Sequence, residues 1–172
     1  MINRTRFNES YFKMDAIASI KGSIELAEMV GMSYLNDLSD EDLMKRPHAD
    51  CNHINWQVGH LIASENSMMS SLSDSIPALP EGFADKYTKE TASSDSAADF
   101  ATKDELMAAY KSQRAATMEF LSSCSAEDLD KPTGVEFAPT CGSMLAMQGA
   151  HWLMHCGQWV IIRRESGKPI VI

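Results

Sequence analysis

Apolar residues return at helical spacing along most of this chain, and strict apolar/polar alternation of the strand kind is hard to find. From about Ser10 to Asn36 the stripe runs through Ile17, Ile20, Ile24, Ala27, Tyr34 and Leu35, which predicts an amphipathic first helix. Gly31 holds a stripe position suited to close helix contact. Asn52 is a plausible cap for a second long helix reaching about Ser71, with Ile54, Val58, Leu61, Ile62 and Met68 on its apolar face. Thr102 and Glu105 have capping-box spacing and open a third helix to about Ser123, carrying Leu106, Ala109, Tyr110, Met118, Phe120 and Leu121. A fourth runs from Thr140, a candidate N-cap, to Gly167, a candidate C′ residue followed by Pro169. Arg163 and Arg164 fall near the negative end of its dipole.

Between the second and third helices, residues 72–102 are rich in Ser, Ala and Asp and hold Pro77, Pro80 and Gly82. A connection of about thirty residues is unusual inside a compact domain, so this crossover should span a bundle or cover a site. Two strings echo one another: LSDEDLMKRP after the first helix and CSAEDLDKP after the third. Each has a Ser-x-Glu-Asp-Leu turn, a basic residue and a proline, and each precedes a histidine-bearing helix; in the first, Ser39 and Asp42 have capping-box spacing. If the echo reflects two related helix pairs, the two histidine helices face one another.

Composition narrows the class without changing it. The 172 residues suit one all-α domain spanning 1–172, long enough to bury a core without staples. A net charge of -9, with the 15 basic residues scattered, argues against nucleic acid as a partner. Cys51, Cys124, Cys141 and Cys156 form no CxxC pair and read as reduced thiols of a cytoplasmic protein. No stretch approaches the roughly 20 apolar residues of a membrane span, and MINRTRFNES lacks the apolar run of a signal peptide, so the expectation is no membrane and no export.

The candidate chemistry lies in the last helix. At about 100° per residue His151 and His155 project from one face, a two-ligand metal spacing that needs a third ligand from elsewhere. His60 is the candidate, because in QVGHLIASE it sits among apolar neighbours where a solvated residue would be easier to place, and Gly59 beside it permits close approach. His53 shares its face two turns back and reads as a capping or supporting group; His48 reads as a solvated loop residue. Imidazole suits zinc, nickel and iron, and three histidines leave an open position at which bound water or thiol becomes acidic near neutral pH. Asn52, Gln57, Glu65, Gln148 and Gln158 are candidates to hold a ligating ring by its far nitrogen. The bland alternative is that these are ordinary hydrogen-bonded helix histidines. Trp56, Trp152, Trp159 and the 12 methionines read as core or pocket lining, and Cys156 as a core thiol.

NHINWQVGHLIASE, GFADKYTKETASSD and HWLMHCGQWVIIRRESGKP together resemble the DinB-like (DinB/YfiT) family of metalloenzyme-type proteins, over nearly the whole chain. The resemblance implies a four-helix bundle with a long crossover, often homodimeric. It also implies a divalent metal, zinc or nickel, on the histidine of Gly-His-Leu and both histidines of HxxxH, here His60, His151 and His155. Some relatives are S-transferases that use bacillithiol or mycothiol, so the expected partner is a small-molecule substrate or thiol, with hydrolysis as the competing reaction. No general base stands at a fixed spacing from the three histidines, which leaves a non-catalytic metal-binding or dimerisation module as the alternative.

Overall fold

The computed structural model describes residues 14–170. The expected start of the first helix at Ser10 and the N-terminal decapeptide lie outside them. Helix α1 spans Ala16–Leu35 and begins where the Asp15 carboxylate accepts from the Ala18 amide. Helix α2 is the short turn Asp40–Leu43, α3 is Ile54–Ser70, α4 is Lys103–Ser123, α5 is the turn Ala126–Leu129, and α6 is Cys141–Glu165. Among the described residues there is no named strand, and the fold is all-α.

The caps follow local chemistry. Thr102 with Glu105 and Thr140 with Ser143 form reciprocal capping boxes at the starts of α4 and α6. The two echoed strings become the same object: Ser39/Asp42 and Ser125/Asp128 are capping boxes, each with a lysine on the aspartate at 2.6 Å, Lys45 and Lys131. Helix α6 ends as expected at Gly167, whose φ of +66° suits a residue without Cβ. Lys168 N–H returns to Arg163 O and Gly167 N–H to Arg164 O, which satisfies the last carbonyls. At the start of α3 the cap is His53 rather than Asn52, its Nδ1 accepting the Trp56 amide at 3.0 Å.

The four long helices touch in the order α1, α6, α3, α4 and back to α1, closing a ring around the core. The α1–α6 contact is close because of glycine: a Cβ on Gly149 would lie 2.8 Å from the Ser23 carbonyl oxygen. Arg163 is buried and ties the end of α6 to the end of α1, donating to Pro169 O at 2.9 Å and to Tyr34 O at 2.6 Å and pairing with Asp37. A second buried tie joins α3, α4 and α6. The Glu65 carboxylate accepts from Arg114 at 2.8 Å, Thr117 at 2.7 Å and the Trp152 indole at 3.3 Å.

The crossover is not structureless. It forms short 3-10 turns at Ala84–Tyr87 and Ala97–Asp99, and the first of these packs against α3. The Tyr87 ring lies flat on Gly59, where a Cβ would collide with it, and its hydroxyl donates to Asn55 and accepts from the Ala101 amide. Arg46 donates to the carbonyls of Ala92 and Ser94, which fixes the far end of the segment. The crossover therefore braces α3. Among the described residues no helix is long and apolar enough to cross a membrane.

Candidate metal centre

His60 lies in the interior of α3; His151 and His155 lie one turn apart on α6. The packing of α3 on α6 brings the three rings together, with one potential ligand atom from each within 4.8 Å of the others. Ring centroids are 5.1 Å apart for His151 and His155, 5.4 Å for His60 and His151, and 5.9 Å for His60 and His155. The planes are inclined to one another by 86° for His60 and His151, 61° for His151 and His155 and 56° for His60 and His155, so none of the three pairs stacks.

Each ring has an identifiable setting. Trp56, one turn before His60, stacks on it in parallel, with centroids 5.0 Å apart and planes 7° apart. The Trp56 indole N–H is in turn held by Thr88 O and Thr91 of the crossover, at 3.2 and 3.1 Å. His155 is buried, and its Nδ1 lies 2.9 Å from Gln57 Oε1. The indole of Trp159, which can only donate, reaches the same oxygen at 2.9 Å. On the other side, Gln57 Nε2 donates to Asn52 O at 2.6 Å and to Gln158 Oε1 at 3.2 Å. A pure donor and a pure acceptor on opposite sides fix which end of the Gln57 amide is oxygen. His155 Nδ1 must then carry the proton, and the lone pair sits on Nε2.

Electrostatics favours the neutral rings. Burial lowers the pKa of His60 and His151, and proximity to His60 lowers that of His151 further. Burial pushes His155 down to about 4, with repulsion from His151 and His60 adding to it. At neutral pH all three present lone pairs, the state a divalent cation requires.

Of the residues expected to hold a ring, the structure brings Gln57 directly to an imidazole and Gln158 behind Gln57. The others are placed differently. Glu65 directs both carboxylate oxygens to α4 and α6, because a buried carboxylate needs donors and Arg114, Thr117 and Trp152 surround it. Gln148 donates to Met144 O within its own helix, at 2.8 Å. His53 caps α3 and meets the edge of Phe100, at a centroid distance of 4.6 Å. His48 is an exposed loop residue. Gly59 admits the Tyr87 ring rather than backbone or ligand. The sequence reading missed Trp56 as a platform for His60; two aromatic residues at i and i+4 on one helix were the available signal.

Residues 24–159 match the DinB superfamily. The chain belongs to that superfamily. No curated protein matches the chain. Among solved structures, a conserved protein from Enterococcus faecalis superposes with a TM-score of 0.66 at 16% identity, over 90% of this chain and 99% of that one. At that identity the likeness shows the fold alone. In this DinB superfamily member, the three histidines and the Gln57 hinge between α3 and α6 form a donor set that fits a divalent cation: neutral nitrogens from two helices, one of them with its tautomer fixed.

Proposed function

We propose that the protein is a metalloenzyme-type bundle of one domain that holds a divalent metal, zinc or nickel, on His60, His151 and His155. The observation that carries this reading is the Gln57 amide, locked by Trp159 and Asn52 so that His155 keeps its proton on Nδ1 and its lone pair on Nε2, in a cluster where each of three rings has a potential ligand atom within 4.8 Å of the others. A histidine serving only the core has no need of a fixed outward lone pair. A cation bound there supplies Lewis acidity, making a water or a low-molecular-weight thiol acidic enough to act as a nucleophile near neutral pH. The chain's own residues hold the site still: Gln57 orients His155, and Trp56 limits rotation of His60. Three protein ligands leave room for a small-molecule substrate or thiol, with S-transfer and hydrolysis as the two reactions. Four free cysteines support a reducing, cytoplasmic setting.

Metal analysis of the purified protein and of a His151→Ala variant tests the reading. Stoichiometric metal in the wild type and its loss in the variant are expected; a metal-free wild type or undiminished binding in the variant discards it. Thiol-dependent consumption of an electrophile would mark the transferase, and turnover in water alone the hydrolase.

The second reading, a non-catalytic metal-binding or dimerisation module, is favoured by one observation: Glu65, the acidic residue on α3 just beyond His60, is committed to Arg114 and is not free to act as a base. Chelation separates the two readings, since a closed structural site should lose much of its thermal stability and an open catalytic one little. Exposed Leu26 and Met29 on α1 and Ile161 on α6 support a homodimer in either reading. Light scattering that gives a monomer mass at tens of micromolar would reject it.

A further inference from the structure

His151 belongs to two places at once. It is one of the three clustered histidines, and it also lines an open bay of about 390 Å³ with Met68, Phe137, Met147, Ala150 and Met154. Met68 comes from α3 and Phe137 from the loop between α5 and α6; the rest come from α6. Apart from His151 every lining side chain is apolar, and no charged residue is among the lining ones. Phe137 and Met154 are 71% and 59% exposed, an unusual position for large apolar side chains that a covering group would relieve. A larger cavity of about 550 Å³ lies between the crossover and α4, but none of the three histidines lines it.

We propose that this bay is the specificity subsite of the metal centre, and that it takes the alkyl or aryl part of a ligand whose polar head occupies the open metal position. The proposal rests on the three-histidine reading above. A head group at the histidines has His151 as its immediate neighbour, and because His151 also lines the bay, a substituent on that head has the bay within reach beside it. Three thioethers make the walls soft and adaptable, which suits a family of apolar substituents rather than one fixed shape. A bay without a cationic side chain gives no foothold to an anionic tail, and the chain's net charge of -9 adds to that exclusion.

The test uses zinc-loaded full-length protein and alkyl hydroxamates, which present one metal-binding head on tails of different length. Binding should tighten about two- to fourfold per methylene, so hexanohydroxamate should bind at least about tenfold more tightly than acetohydroxamate. Phe137→Ser and Met154→Gln, both at exposed positions where folding is not at stake, should each cut that gain to roughly threefold or less. Zinc content and acetohydroxamate affinity should stay unchanged in both. Equal affinity along the series on loaded protein, or a full gain retained in both variants, overturns the bay and leaves the metal reading standing. Absence of zinc uptake by the wild type removes the metal reading and this proposal with it, and metal analysis separates that result from a flat series.

Discussion

Gln57→Leu tests the centre at its most exposed logical point. Leucine matches glutamine in volume and leaves four groups without that partner: His155 Nδ1–H, Trp159 Nε1–H and Asn52 O, bonded now at 2.9, 2.9 and 2.6 Å, and, more weakly, Gln158 Oε1 at 3.2 Å. Each buried orphan costs roughly 1–3 kcal/mol, less where water can reach. Asn52 is half-buried and partly relieved, so a total of about 3 kcal/mol is expected for the metal-free protein. In a chain of this length that lowers Tm by roughly 6–12 °C, readable by calorimetry in chelator. Zinc affinity should fall about 10–100-fold in addition, because the ring loses its orientation and its fixed tautomer. A competition titration against a chromophoric chelator measures it. Gln158→Ala serves as control: it removes one 3.2 Å contact to the amide and should move affinity by well under tenfold. A Gln57→Leu protein that loses stability yet binds zinc within twofold of wild type would refute the orienting role. One that loses neither would refute the network itself.

Three further outcomes follow from the packing. Arg114→Met strands the buried Glu65 charge and should destabilise by about 3–5 kcal/mol, while adding Glu65→Gln should restore most of the loss; additive losses in a urea double-mutant cycle would contradict the pairing. Gly59→Ala drives a methyl into the Tyr87 ring, which its two hydrogen bonds prevent from swinging away; a cost of roughly 1–3 kcal/mol is expected, and a neutral result in chemical denaturation would mean the crossover is loose. Acid sensitivity should come in part from His53, buried and held down to about 4 chiefly by desolvation. With an unfolded value near 6.5, the unfolded chain takes the proton first, so stability should fall as pH drops from about 6.5 towards 4, by roughly 1–3 kcal/mol. His53→Asn keeps a cap acceptor without titrating and should flatten that slope in metal-free protein; an unchanged slope would assign it elsewhere.

Helix boundaries were legible in the chain because their causes are local. Ser39, Thr102, Ser125 and Thr140 each bond a residue three positions on, and Gly167 supplies the left-handed turn beyond α6. The i, i+4 spacing of His151 and His155 is likewise fixed by helix geometry, whatever surrounds it. His60 could be named for its apolar setting, but its distance to the other two rings could not, since that depends on how α3 is rotated and offset against α6. The same freedom decided which of several polar residues would meet a ring. Gln57 lies 98 positions from His155 and touches it, whereas Glu65, on the same helix, faces Arg114, and His53 displaced Asn52 as the cap. Tertiary packing alone determined the tautomer of His155, the Trp56 platform under His60 and the methionine bay beside His151. Backbone hydrogen bonds and capping act over one turn and can be read from neighbours in sequence. Contacts between helices are chosen by the fit of whole faces, a property no short stretch of sequence contains.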